Sequence, residues 1–96
     1  MSASLRDRIK LNLGISHEKL DDEIDARIAA GRRELIRIGV TETMANGNDE
    51  LVCDGLIDFV CMRLASDDKE REGWERAWDI TSVNLMNSSE YYEESE

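Results

Sequence analysis

The sequence predicts an all-α fold: a bundle of about four helices, with a long second helix, a buried third helix and a flexible acidic C-terminal tail. Three observations predict it. Proline is absent and only six glycines occur in 96 residues, which favours uninterrupted helices over a turn-rich β fold. Apolar residues return at three- and four-residue spacings in four successive stretches. Gly14 and Gly39 stand where the first two stretches end, as glycine does at helix C-termini. At this length one domain is expected, over residues 1–87, with 88–96 as the tail. So short a chain has a marginal core of its own, and neighbouring subunits are a natural source of further burial.

The first helix is expected from Ser4 to Leu13. Ser4 is a candidate N-cap with Asp7 three residues on, and Leu5, Ile9 and Leu13 form one stripe. The second helix, Asp21 to Ile38, carries the clearest pattern. Leu20, Ile24, Ile28, Gly31, Leu35 and Ile38 fall within about 80° at about 100° per residue. Asp21, Asp22, Glu23 and Asp25 crowd its start and Arg32, Arg33 and Arg37 its end, the order that the helix dipole favours. Gly31 on the apolar face predicts that another helix crosses close to it. Val40 to Asn48 reads as a loop, because Thr41, Thr43 and Asn46-Gly47-Asn48 are turn formers.

The third helix, Asp49 to Ala65, is apolar in nearly every direction: Leu51, Val52, Cys53, Leu56, Ile57, Phe59, Val60, Cys61, Met62 and Leu64 leave only Asp54 and Asp58 as a narrow polar stripe. A helix apolar all round belongs at the centre of a fold. The fourth helix runs from Asp68 to Met86. Trp74, Trp78, Thr81 and Leu85, with Ala77 at the edge, make its inward stripe, and Ile80 and Val83 fall outside it. The predicted core is therefore Leu20, Ile24, Ile28, Leu35, Ile38, Leu56, Phe59, Trp74, Trp78 and Leu85. Ile80 and Val83, with Asp54 and Asp58, are candidate subunit-interface residues.

The formal net charge of −10 (22 acidic against 12 basic residues) argues against wrapping DNA or docking on anionic lipid, both of which need a basic face. No apolar run reaches the roughly 18 residues of a membrane span, and the first residues lack the apolar core of a signal peptide. A cytoplasmic environment is expected, with no membrane contact. Cys53 and Cys61 fit it: eight helical residues rise about 12 Å, too far for an intrachain disulfide.

Signs of catalysis are not found. His17 is the single histidine, which rules out a His-rich metal site and the usual Ser-His-Asp set, and it reads as an exposed residue near a helix start. Cys53 and Cys61 have no third ligand at metal spacing and read as buried apolar groups. The glycines are scattered, so no phosphate loop exists. Asp54 and Asp58 could pose as a carboxylate pair, but a solvated helix edge is the plainer reading. Trp74 and Trp78 could stack on bases, but on an apolar stripe they read as core. Asn46-Gly-Asn-Asp-Glu lacks the later ligands of a calcium loop. No catalytic residue, cofactor or metal is expected.

Four stretches in this order resemble the phage head–tail connector family, also described as DNA-packaging proteins. Leu5-Arg-Asp-Arg-Ile-Lys-Leu-Asn-Leu-Gly-Ile-Ser-His is similar to the family's opening. Leu20-Asp-Asp-Glu-Ile-Asp-Ala-Arg-Ile-Ala-Ala-Gly-Arg-Arg-Glu-Leu, ending in Ile38-Gly-Val, resembles its long acidic-to-basic helix. The apolar helix Leu51 to Arg63 follows a variable loop. Glu72-Gly-Trp-Glu-Arg-Ala-Trp-Asp resembles its aromatic-x-x-alanine-aromatic helix, with Ser88-Ser-Glu-Tyr at the close. The likeness covers about nine-tenths of the chain and rests on order and spacing together. It departs at Leu64-Ala-Ser-Asp-Asp-Lys, where relatives commonly carry aromatics, a glycine and a proline.

The resemblance implies a non-enzymatic virion subunit, made in the host bacterial cytoplasm. It would form a ring homo-oligomer of dodecameric type at the head–tail junction, between the portal protein and the next tail component. DNA would pass through its channel without specific binding. An acidic helical inhibitor or DNA mimic, acting as a monomer or dimer, is the alternative that the net charge leaves open, and a small enzyme is a more distant one.

Overall fold

The computed structural model describes residues 4–87, and the expected tail over 88–96 lies outside them. The described residues form five helices: α1 (Leu5–Leu13), α2 (Asp21–Arg37), α3 (Glu42–Ala45), α4 (Glu50–Leu64) and α5 (Asp68–Met86). The described residues are 76% helical and contain no strand. It is an all-α bundle.

Local chemistry sets the helix ends. The Ser4 hydroxyl accepts from the Asp7 N–H at 3.1 Å, satisfying one free donor of the first turn of α1. Gly14 closes that helix in the left-handed region at φ 71°. Asp49 accepts from the Leu51 N–H at 3.0 Å to open α4, and Asp67 accepts from the Glu70 N–H at 2.7 Å to open α5. Helix α2 has no side-chain cap. Its start is held from outside, by Lys10 Nζ 2.8 Å from an Asp21 carboxylate oxygen and by Arg6, which pairs with Asp25.

Two expectations are corrected here. Residues 40–48 are not all loop: Thr41 caps a single helical turn, α3, by accepting from the Met44 N–H at 3.3 Å. Four residues are too few to display a 3.6-residue period, so capping chemistry alone announces this turn. It is tied to α2 by Arg32, whose Nη1 donates to the carbonyl oxygens of Ala45 at 2.8 Å and Gly47 at 3.0 Å. Leu20, placed in the core by the helical wheel, is 37% exposed. It is the residue before α2 begins, with φ −105° and ψ 6°, so the helical rotation that would turn it inward does not apply to it.

Helix α4 is the centre. Val52, Leu56, Val60 and Cys61 are sealed from solvent, and Cys53, Ile57 and Phe59 nearly so. Three helices surround it. From α2, Gly31 packs so closely that a Cβ there would lie 2.9 Å from Leu56 Cδ2 and 3.1 Å from Phe59 Cδ1, which is the close crossing its position implied. From α5, Thr81, Leu85 and Trp78 crowd Gly55 at 3.3–3.6 Å from the place of its missing Cβ. From α1, Ile9 is fully buried in the cluster that contains Ile57, Val60 and Ile24. Ile24, Leu35, Leu56 and Leu85 are 0% exposed and Phe59 5%. Ile28, Ile38, Trp74 and Trp78 are partly buried and pack against this core. Cys53 and Cys61 are free thiols. Burial raises both, Cys61 to about 12, so at neutral pH they are protonated apolar filling.

Candidate interaction surface

Helix α5 has two faces of opposite character. Its inward face is occupied: Leu85 is sealed, and Trp78 meets Phe59 edge-on with centroids 5.4 Å apart and planes at 64°. Its outward face changes along its length. Asp68, Lys69, Glu72, Glu75, Arg76 and Asp79 hold the first half in water, whereas Ile80, Val83 and Met86 are 63%, 47% and 39% exposed in the second. Spacing of three residues turns each of these side chains about 60° from the last, so they form one slanting apolar strip. Ile80 and Val83 stand outside the core as their wheel positions predict. Met86 was missed, though the same three-residue step from Val83 reaches it. Leu11 (83%) and Ile36 (40%) are further exposed apolar residues on α1 and α2 that the sequence reading did not single out.

Asp54 and Asp58 lie on a different surface, a groove of about 360 Å³ where α1, α4 and α5 meet. Arg8, Asn12, Ile57, Trp74 and Thr81 complete its walls. The Arg8 guanidinium bridges Glu50 at 3.1 Å and Asp54 at 3.5 Å, linking α1 to the acidic side chains of α4. These groups are substantially exposed, so the pairs orient the helices more than they stabilise them.

Asp58 is half-buried, which corrects the reading of it as a solvated edge. Thr81 Oγ1 donates to its Oδ2 at 2.9 Å. Burial pushes the Asp58 carboxyl above its ordinary 3.8; the Thr81 bond pulls the other way, and Asp54 adds to the rise. A carboxyl raised in the folded state favours folding in its protonated form. Its contribution is therefore full below the ordinary value and is lost as the pH climbs through the raised one. Asp58→Asn keeps an acceptor for Thr81 and cannot ionise. It is expected to raise the denaturant midpoint at pH 7, with the advantage over the parent shrinking as the pH falls towards 4; paired urea melts across that range would measure it.

Comparison of the chain with protein-family models, curated proteins and solved structures found no match. Among the described residues no group of three or more His, Cys, Asp or Glu is arranged to hold a metal ion. No described helix is long and apolar enough to cross a membrane. The two candidate patches are separate: the structure brings Asp54 and Asp58 together with Arg8 and Trp74, and leaves Ile80 and Val83 on the outer side of α5 with Met86. His17 is exposed, its Nδ1 accepting from the Lys19 N–H at 3.3 Å, and joins neither patch.

Proposed function

We propose that this chain is a structural virion subunit, a head–tail connector whose copies assemble into a closed ring between the portal and the tail. The observation that carries the reading is the apolar strip Ile80–Val83–Met86, which faces solvent on a helix whose other side is already buried in the core. Apolar area grouped on one face, rather than scattered singly, is what a protein contact removes from water. The order of the four sequence stretches that resemble the connector family supports a connector ring as that assembly. Ring subunits join by heterologous contacts, each copy presenting a face to one neighbour and a different face to the other.

Particle mass tests the reading: sedimentation of the purified chain, alone and mixed with a portal ring, is expected to yield a multimeric species. A chain that stays monomeric in both conditions, yet competes with a basic protein's nucleic acid for binding, favours the acidic-mimic alternative that the −10 charge allows. Ile80→Glu and Val83→Glu are each expected to abolish assembly and leave helicity intact. Because both side chains already stand in water, each change should move the thermal midpoint by no more than about 0.5 kcal/mol's worth. Loss of helical signal in either variant would place the strip in the core instead.

A further inference from the structure

We infer that the outward face of α5 in one copy docks antiparallel on the outward face of α2 in the next copy, with Asp79 opposite Arg33. This rests on the self-assembling reading above and names the two surfaces that it would use.

The outward residues of α2 are Asp22, Ala26, Ala29, Arg33 and Ile36, all exposed. At about 100° per residue, the last four fall within about 80°, a single stripe. Two alanines make its middle shallow, Ile36 (40% exposed) adds apolar area, and Arg33 adds a cation. Neither Arg33 nor Asp79 has an ion-pair partner among the described residues. The strip on α5 offers protruding Ile80, Val83 and Met86, with Arg76 and the acids Glu75 and Asp79 on their N-terminal side.

Laid antiparallel with Val83 against Ala29, the two helices match along their length. Met86 then meets Ala26, Asp79 meets Arg33, and Glu75 meets Arg37, because both helices step by the same number of residues between these positions. Val83 and Met86 fall on alanines and Asp79 falls on the unpaired Arg33, while Ile80 comes beside Arg32 and Arg76 beside Ile36. A parallel alignment with the same Val83–Ala29 match sets Asp79 against Asp25, which Arg6 already pairs, and sets Arg33 against Asn87, so neither unpaired charge gains a partner. The two faces are also placed for a head-to-tail contact. Helices α2 and α5 pack on different sides of α4, Gly31 against Leu56 and Phe59, and Trp78, Thr81 and Leu85 against Gly55. One copy can therefore engage two neighbours at once.

Charge exchange in the full chain tests this. Arg33→Asp and Asp79→Arg are each expected to weaken assembly at least about tenfold, measured by sedimentation under whichever condition, alone or on a portal ring, gives multimers with the parent chain. The double variant Arg33→Asp/Asp79→Arg is expected to recover most of the loss. Ala29→Arg, which fills the shallow centre with a long cation on an exposed helical site, is expected to weaken assembly as much. Circular dichroism of each variant should match the parent. If the parent assembles and the single reversals assemble equally well, this interface is wrong while the connector reading stands. A double variant no better than the singles overturns the register. A parent chain that remains single even on the portal overturns both.

Discussion

Replacing Gly31 by valine is expected to lower the folding free energy by about 3 kcal/mol, the upper range for forcing extra volume into a packed core. Gly31 is the point at which α2 crosses α4, and a Cβ there already comes within 2.9 Å of Leu56 Cδ2 and 3.1 Å of Phe59 Cδ1. Leu56 is 0% exposed and Phe59 5%, so neither can swing into solvent to make room. Alanine is a milder case. Its single methyl needs only a small shift of the Leu56 branch, and the gain in helix propensity over glycine, about 1 kcal/mol, offsets much of the clash. Valine adds two branches at the same place, and its cost is not offset. For a domain of this size the loss corresponds to a fall of roughly 15 °C in the thermal midpoint. Total stability is expected to be of order 5–15 kcal/mol, near the low end for so short a chain, so the variant would lie close to its unfolding threshold. The cause is checked by a second substitution. Leu56→Ala alone leaves a cavity and should cost about 3 kcal/mol, yet in Gly31→Val/Leu56→Ala the new side chain occupies part of that space. The double variant should therefore be more stable than the sum of the singles predicts; strict additivity in urea melts would mean that the two residues do not compete for volume.

Trp78→Ala is expected to cost about 3–4 kcal/mol. The indole packs against both halves of the core, the group around Leu35, Leu56 and Leu85 and the group around Ile9, Ile24 and Val60. It also meets Phe59 edge-on at 5.4 Å, the ring over which the Arg63 guanidinium lies at 5.1 Å. Truncation thus opens a void between α4 and α5 and removes the aromatic pair in the same step, a pair worth about 0.5–1.5 kcal/mol beyond its area. Trp78→Phe retains a ring of smaller reach and should lose less than half as much. Trp74→Ala is the comparison: that side chain is half-buried on the wall of the α1–α4–α5 groove, so its loss should be the smaller of the two. Denaturant melts of the three variants would rank them. A larger effect at Trp74 than at Trp78 would reverse the assignment of the inner and outer tryptophan.

Periodicity, caps and composition reached some parts of this protein and not others. Helices α1, α2, α4 and α5 were legible because each is long enough to repeat an apolar spacing and each has a cap, a glycine stop or a charge gradient at its ends. Even the close approach at Gly31 could be anticipated, since a glycine on an apolar stripe leaves room for large side chains of a neighbouring helix, here Leu56 and Phe59. The single turn of α3 was not legible, being shorter than the period used to find helices. Leu20 was misplaced because a helical wheel assumes a helix that has not yet begun at that residue.

On the surface, the exposure of Ile80 and Val83 followed from their angle to the inward stripe, and Met86 follows by the same geometry. The groove did not follow. That Arg8 reaches across to Glu50 and Asp54, or that Thr81 donates to Asp58, depends on how α1 and α5 lie against α4, and residues so far apart in the chain carry no common spacing.

The sequence alone determined the helical class, the extents of the four longer helices, the identity of the central one, and the surplus of acid. These are properties of neighbouring residues, governed by hydrogen bonding within a turn and by the side on which apolar groups recur. Only the tertiary structure decided that Asp58 is half-buried, that Arg32 holds α3, and that the outer faces of α2 and α5 open on different sides of the same core. Those depend on distances between segments remote in the chain, which packing around α4 fixes and local periodicity does not encode.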